Sequence, residues 1–313
     1  MKLDDAMTPV AGASGLSASI RDAIRRLGAR FDPEVLAATR ALFEGRWDLS
    51  LPREAQSHTD VAYGPDGRNR IDVFASGRRR APLLVFVPGG GFVAGDKALY
   101  RHVGPAFARL GFVSAIVNYR LAPAHAWPAG AVDVASAIDW LVERAESFGA
   151  EASSVYVLAQ SAGAAHASGA LFDRRLQPRH FARIRSAVLM SGFYRMDASV
   201  AAPNIRAYFG EDESKYEDRS PLTAVAGSAL PVGLTVAEFD PRYLASQTMA
   251  LAGELIMRDD RCPPLLWNED HNHVSPLLSI GAGSGTLAAD LAALLLRLGG
   301  TANDSRGRDR ADA

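Results

Sequence analysis

The sequence feature that most limits the possible folds is a series of short, continuous apolar runs, each about the length of a strand. Leu83–Val87, for example, consists of apolar residues between two prolines. A strand without polar alternation is typical of a sheet covered on both faces, as parallel sheets are by helices. Comparable runs follow at Phe112–Val117, Val155–Ala159, Ala187–Met190, Val232–Val236 and Leu265–Trp267. The chain is therefore expected to build a mostly parallel and mostly internal sheet.

Helix-like segments separate these runs, and a hairpin precedes them. Two alternating stretches, His58–Tyr63 and Arg70–Phe74, flank a Gly-Pro-Asp-Gly turn and predict two antiparallel strands. The helix-like segments are Tyr100–Leu110, Ala129–Phe148, Ala162–Phe172, Leu244–Met257 and Leu287–Leu298. Because strand and helix alternate, the sequence predicts an α/β fold with an eight-stranded sheet and helices on both of its faces.

Two regions outside this alternation are predicted to form a small helical cap. Near the N-terminus, helix-like stretches lie at Ala18–Leu27 and Pro33–Phe43, with Asp32 as the N-cap of the second. Short helices are also expected around Asn204–Phe209 and Pro221–Val225. The predicted organisation is an N-terminal cap segment of residues 1–50, a main domain of residues 51–300 with a cap insertion at about 195–228, and a disordered tail of residues 301–313.

Charge and composition exclude several classes of protein. The formal net charge of −1 leaves no strong single-sign field, so no nucleic acid partner is expected. A single cysteine, Cys262, rules out a disulfide within the chain. The N-terminus lacks the apolar core of a secretory signal. No run approaches the roughly 20 apolar residues of a membrane span. These features predict a cytoplasmic protein without a membrane span.

A serine follows one of the predicted buried strands directly. Ser161 stands between the run Val155–Ala159 and a helix-like segment that begins with Ala162 and Gly163. A serine at a sharp strand-to-helix turn projects its hydroxyl above the sheet, and the helix N-terminus stabilises negative charge beside it. The usual pattern is Gly-x-Ser-x-Gly, and Ala159 replaces its first glycine. Taken alone, the motif is weak, and it more often marks a serine that caps a helix.

Three glycines follow another predicted strand. Gly89, Gly90 and Gly91 come after Leu83–Val87, and glycines allow the backbone to approach a ligand and turn its N–H groups toward it. A flexible turn is the simpler interpretation. A phosphate-binding loop is a third, but Lys97 does not stand in the GxxxxGK[ST] frame.

Acidic and basic residues follow the last two predicted strands. Asp240 comes after Val232–Val236, and His271 and His273 come after Leu265–Trp267. Ligands bind beyond the carboxyl ends of parallel strands, and Ser, Asp and His in this chain order are typical of one hydrolase arrangement. The alternative is a metal site at the two histidines. No second cluster at ligand spacing supports it, so neither a metal nor a cofactor is expected.

Together these motifs resemble the hormone-sensitive-lipase-like branch of the α/β-hydrolases, bacterial carboxylesterases in particular. Asn118–Pro123 is similar to that branch's YRLAPE motif, and Trp127–Ala129 with Asp133 to the stretch that follows it. Ser220–Leu222, Leu230-Pro231 and Asp240-Pro241 lie where the branch has matching motifs. The likeness covers roughly residues 60–300. It implies an α/β-hydrolase fold with a small helical cap.

The resemblance also implies roles for individual residues. Ser161, His273 and Asp240 correspond to the catalytic triad, and the amides of Gly90, Gly91 and Ala162 to the oxyanion hole. The family's ending favours His273 over His271 as the base, although both remain candidates. The chain departs from the family in Pro88, which replaces a histidine before the glycines, and in Gln160, which replaces an aspartate before the serine.

The expected function is hydrolysis of small or medium carboxylic esters through an acyl-enzyme, without a cofactor. An arylformamidase-like amidase would use the same residues and is an alternative. A non-catalytic binding protein with this fold is a second alternative, against which the intact Ser, Asp and His set argues. Because many relatives dimerise through an edge strand or helix, a homodimer is also considered, and the sequence leaves the oligomeric state open.

Overall fold

An eight-stranded sheet forms the centre of the fold. The computed structural model describes residues 15–197, 199, 202–283 and 285–308. The strands are β1 (Ser57–Ala62), β2 (Arg70–Phe74), β3 (Ala81–Val87), β4 (Val113–Val117), β5 (Ala150–Gln160), β6 (Ile184–Met190), β7 (Val232–Phe239) and β8 (Leu265–Asn272). Their order across the sheet is β1-β2-β4-β3-β5-β6-β7-β8. The β1–β2 hairpin and the β2–β4 pair are antiparallel, and all other pairs are parallel. The predicted mostly parallel eight-stranded sheet is confirmed.

Helices cover both faces of this sheet. Those of the described residues are α1 (Ala18–Leu27), α2 (Pro33–Ala41), α3 (Val103–Arg109), α4 (Ala129–Glu143), α5 (Ala162–Phe172), α6 (Pro203–Phe209), α7 (Tyr216–Arg219), α8 (Arg242–Asp259), α9 (Ser275–Ser279) and α10 (Leu287–Arg308). Leu83 and Val85 of β3 pack in one core with α4, α5 and α8. Leu84 and Phe86 pack in a second core with α3 and α10. Both faces of β3 are therefore buried, which explains its unbroken apolar sequence.

The edge strand β8 is longer than its apolar run indicates. It continues through residues 268–272, beyond the predicted end at Trp267. Within the sheet β8 pairs with β7 alone, so its outer side tolerates polar residues that an internal strand would exclude. As a result His271 lies within the strand and His273 directly follows it.

The predicted cap helices lie in the two expected regions. The Ser17 hydroxyl accepts a hydrogen bond from the Ile20 amide, which begins α1, and the Asp32 carboxylate accepts one from Val35, which begins α2. In the insertion, α6 and α7 precede a 3-10 segment at Pro221–Gly227. Residues 1–14, 198, 200 and 201 of these regions lie outside the described residues.

The first part of the C-terminal tail differs from the predicted disorder. Helix α10 continues to Arg308, into the segment 301–313 for which the sequence predicts disorder. Helix formation is cooperative, so the packed first half of α10 allows the polar residues after it to extend the same helix. Residues 309–313 lie outside the described residues.

A buried histidine in α5 makes the stability of this fold depend on pH. His166 is enclosed by the rings of Phe92, Tyr119 and Tyr208, and neither ring nitrogen has a hydrogen-bond partner in the described structure. Burial lowers the pKa of His166 from 6.5 to about 3. Below pH 6.5 the unfolded chain therefore takes up a proton that the folded chain does not, so the free energy of unfolding falls as the pH falls.

We expect His166→Leu to remove this contribution. Between about pH 7 and pH 5, wild type should lose about 2 kcal/mol of unfolding free energy more than the variant does. Urea unfolding at several pH values measures the difference. Ser168→Ala, which changes another buried side chain of α5 that does not titrate, is the control and should leave the pH dependence of wild type unchanged. Parallel curves for wild type and His166→Leu would contradict the assignment.

Candidate active site

Ser161 occupies a strained turn between β5 and α5. Its φ of 55° and ψ of −125° lie in a region that residues other than glycine rarely adopt. The turn is held by a hydrogen bond of 2.9 Å from the Ser161 amide to the Met190 carbonyl at the end of β6. This backbone places the serine hydroxyl at the carboxyl edge of the sheet.

Glycines allow this turn to close against β3. A Cβ atom on Gly163 would overlap the carbonyl oxygens of Val87 and Pro88, so α5 reaches the end of β3 only with glycine there. A Cβ atom on Gly89 would overlap the Gln160 side chain and lie 3.0 Å from Ser161 Cβ. The glycine loop predicted after β3 is thereby packed directly against Ser161.

The loops after β7 and β8 bring an acid and a base to the same edge. His273 Nε2 lies 2.9 Å from Ser161 Oγ, and His273 Nδ1 lies 2.8 Å from Asp240 Oδ1. The three side chains are buried. A continuous chain of hydrogen bonds thus joins Asp240, His273 and Ser161, three residues that the sequence motifs had selected.

The other carboxylate oxygen of Asp240 is also held. Oδ2 accepts hydrogen bonds from the Ser191 hydroxyl, at 2.6 Å, and from the Ala237 amide, at 2.8 Å. Hydrogen bonds of this kind fix the orientation of the carboxylate. Sequence reasoning missed Ser191. Its only indication is its place directly after β6, where a serine followed by glycine is typical of an ordinary turn.

The second candidate histidine has a different neighbour. His271 Nδ1 lies 2.9 Å from Ser275 Oγ, and Ser275 Oγ also accepts a hydrogen bond from the Asn272 amide. His271 is therefore part of the structure that shapes the end of β8 and the start of α9. Of the two histidines, His273 is the one in contact with Ser161 and Asp240.

Gln160 links the serine turn to the histidine loop. Its Nε2 donates a hydrogen bond of 3.1 Å to the His273 carbonyl and lies 3.4 Å from His273 Nε2. The side chain is buried and packs against Gly89. The sequence showed only that Gln160 replaces an aspartate of the related motif. The structure shows that it connects three parts of the site.

The glycine loop is anchored on both sides. The Pro88 carbonyl accepts a hydrogen bond of 2.8 Å from the Tyr119 hydroxyl, and burial raises the pKa of that hydroxyl, which keeps it protonated as a donor. Asn204 of α6 donates a hydrogen bond of 2.9 Å to the Gly91 carbonyl. Gly91 has a φ of 59°, which glycine adopts without strain. The loop therefore keeps its shape although Pro88 stands in place of the related family's histidine.

Backbone amides of this loop and of the first residue of α5 lie beside Ser161. Gly90 and Gly91 lie in the loop beside Ser161, and a Cβ atom on Gly90 would overlap the Ala94 carbonyl. Ala162 is the first residue of α5, where an amide has no partner within the helix. Such amides suit an anionic oxygen, and the positive end of the helix dipole adds to their effect.

Aromatic side chains pack beside the first turn of α5. A buried cluster beside Ala162 and Ala165 contains Phe92, Phe193, Tyr208 and Phe209. Tyr208 and Phe209 are thus part of a packed core, and Phe43 is fully buried in another. Phe31 differs: it is 40% exposed, and its ring meets the His273 ring edge to face at a centroid distance of 4.7 Å.

Two further observations on the described residues concern metal binding and membrane-spanning helices. Among the residues that the structure describes, no three His, Cys, Asp or Glu side chains converge in a way that fits a metal ion. None of the described helices combines the length and apolarity that crossing a membrane requires.

Known proteins with similar sequences are esterases by name. A family model described as BD-FAE matches residues 71–175. Esterase LipQ of Mycobacterium tuberculosis (strain ATCC 25618 / H37Rv) is 28% identical over 228 residues, which cover 65% of this chain and 53% of LipQ. A probable isoprenylcysteine alpha-carbonyl methylesterase ICME of Oryza sativa subsp. japonica is 24% identical over 204 residues, covering 63% and 48%. The chain spans about half the length of these curated relatives.

Two solved esterase structures have a similar fold. Esterase B from Lactobacillus rhamnosis (HN001) superposes with a TM-score of 0.71 at 17% identity and covers 93% of this chain and 99% of its own. The hyperthermophilic esterase from the archaeon Pyrobaculum calidifontis gives 0.69 at 21% identity, covering 91% and 99%. At these identities the likeness establishes the fold.

The sheet order and the structural matches show that the chain has an α/β-hydrolase fold, as the sequence predicted. In sequence, the chain is similar to proteins named esterase or probable carboxylic ester hydrolase, which supports the resemblance to carboxylesterases that the motifs predicted.

Proposed function

We propose that the protein is a serine carboxylic-ester hydrolase with Ser161, His273 and Asp240 as its catalytic triad. The observation that carries this proposal is the hydrogen-bond chain from Asp240 through His273 to Ser161 beside a glycine loop. Nucleophile and base lie within hydrogen-bond reach, and a third group orients the base, which is the geometry that nucleophilic catalysis requires.

In the proposed mechanism, Ser161 Oγ attacks the ester carbonyl while His273 Nε2 takes the serine proton. Asp240 keeps the imidazole oriented and stabilises its protonated form. The amides of Gly90, Gly91 and Ala162 donate hydrogen bonds to the tetrahedral oxyanion. The protonated His273 then gives its proton to the leaving alcohol, and an acyl-enzyme remains. Water, deprotonated by His273, releases the acid and regenerates Ser161.

The names of the relatives and the packing beside Ala162 support the proposed substrate class. LipQ is named an esterase and the rice relative a methylesterase, which supports carboxylic esters. The aromatic cluster of Phe92, Phe193, Tyr208 and Phe209 fills the space beside Ala162. This packing favours small or medium acyl groups over long ones.

A substrate panel with an active-site label tests the proposal. A fluorophosphonate probe should modify Ser161, and p-nitrophenyl acetate and butyrate should be hydrolysed with a higher kcat/KM than the octanoate or N-formylkynurenine. Faster turnover of N-formylkynurenine than of any ester would make the protein an amidase instead. Absence of both labelling and turnover would indicate a binding protein with this fold.

A further inference from the structure

The N-terminal segment, residues 15–48, packs around the part of the chain that contains His273. We call that part, residues 270–282, the His273 segment. The two are distant in sequence, but α1 contacts β8 and α2 contacts α9. The contacts include ion pairs, hydrogen bonds, a ring contact with His273 and a shared apolar core.

Polar side chains of α1 and α2 hold the end of β8. The guanidinium of Arg25 lies 2.7 Å from Asp270 Oδ1, and Asn272 Nδ2 donates a hydrogen bond of 2.8 Å to Thr39 Oγ1. Thr39, Asp270 and Asn272 are all buried. The residues that immediately precede His273 are thus bonded to the N-terminal segment.

Apolar and backbone contacts continue beyond His273. Val274 packs in a core with Ile20, Ile24 and Phe43 of the N-terminal segment. The Trp47 indole donates a hydrogen bond of 2.8 Å to the Leu278 carbonyl. The N-terminal segment therefore contacts residues on both sides of His273 in the chain.

The sheet alone holds this part of β8 weakly. Regular pairing with β7 ends at the Ala237–Asn268 pair, and after a register shift one further pair, Phe239–Asn272, remains. Asp270 between them has a φ of 61°, a conformation that costs free energy for a residue other than glycine. On its other side β8 has no strand, since it is the edge of the sheet. The position of His273 therefore depends on contacts outside the sheet.

We infer that the N-terminal segment fixes His273 in reach of Ser161, with Phe31 and Thr39 as positioning residues. Phe31 meets the imidazole edge to face, and Thr39 anchors Asn272 next to it. This inference rests on the proposed function, in which His273 is the base. It assigns the N-terminal segment a role in the chemical step, rather than in enclosing the acyl chain.

Two substitutions test this role. Thr39→Val removes the acceptor of the Asn272 hydrogen bond at nearly constant volume, and Phe31→Ala removes a half-exposed ring. Each should lower kcat by about tenfold, because small displacements of a catalytic group are costly, and should leave KM within about twofold of wild type. The reduction should be equal for acetate and butyrate esters. Arg30→Ala is the matched control, since exposed Arg30 pairs with Asp32 and Glu34, and it should retain wild-type kcat.

A double-mutant cycle separates positioning from a general structural effect. In a His273→Gln background, Phe31→Ala should cause no further loss of the residual activity, since its effect acts through His273. Thermal melts verify that each variant is folded. A wild-type kcat in both variants, a loss that grows with acyl length, or an equal loss in the His273→Gln background would overturn the inference. Failure of the proposed function itself would instead leave wild type without ester turnover.

Discussion

Replacing Ser161 by alanine is expected to lower kcat for ester hydrolysis by roughly 10⁴-fold or more. Alanine keeps the Cβ atom and removes only the hydroxyl that lies 2.9 Å from His273 Nε2. Without that hydroxyl no acyl-enzyme forms, and only the oxyanion donors and substrate binding remain to assist water. The variant should also lose labelling by a fluorophosphonate probe. Steady-state kinetics with p-nitrophenyl butyrate and mass spectrometry of the probe-treated protein measure both effects.

A second serine in the same helix provides a matched control. Ser168 of α5 is fully buried, and its hydroxyl has no hydrogen-bond partner in the described structure. Ser168→Ala should therefore retain kcat and labelling, because it removes a hydroxyl that contacts neither His273 nor the glycine loop. Thermal melts should show both variants folded. Retention of most ester hydrolysis by a folded Ser161→Ala protein would refute the proposed mechanism.

Strands of the sheet could be predicted wherever burial on both faces produces a continuous apolar run. Leu83–Val87 is apolar throughout because both of its faces are covered, and the predicted and observed strands share that run. The end of β8 was not predictable in this way. Residues 268–272 are polar because they lie at the sheet edge, and no periodicity distinguishes such a strand from a loop.

The candidate site was predictable to the extent that chain order and strand ends determine it. Ser161, Asp240 and His273 each stand at the carboxyl end of a strand, so the topology brings them together. The supporting residues Ser191 and Gln160 carry no motif of their own. Their roles depend on contacts with Asp240 and His273 that only the folded chain creates.

For the N-terminal segment too, local structure could be predicted from the sequence but long-range contacts could not. Its two helices, and Asp32 as the N-cap of the second, were predicted from the sequence, since capping is local. The part of the chain that these helices contact could not be predicted, because Arg25 and Asp270 are separated by 245 positions along the chain. A pattern of apolar residues such as Phe43 indicates that a helix packs against something. It does not identify the partner, which here is the segment containing His273.

Glutamine substitutions of the two neighbouring histidines are expected to differ strongly in their effect. His273→Gln should lower kcat by roughly 10⁴-fold, because an amide cannot accept the proton of Ser161 and Asp240 would then face a group that carries no charge. His271→Gln should change kcat by less than about tenfold, since glutamine can still bond to Ser275 Oγ and His273 keeps both of its partners. Kinetics of both variants on one ester measure the contrast.

The comparison is decisive because the two positions are matched. His271 and His273 are both buried, adjacent to the same helix α9 and replaced by the same residue, so the cost of burying an amide is similar. A difference in kcat therefore reports on contact with Ser161 rather than on stability. If His271→Gln proved the more damaging of two folded variants, His271 would be the base and the orientation of His273 toward Asp240 would serve structure alone. The expected result, a larger loss of kcat for His273→Gln than for His271→Gln, would identify His273, which the N-terminal segment covers, as the group that accepts the serine proton.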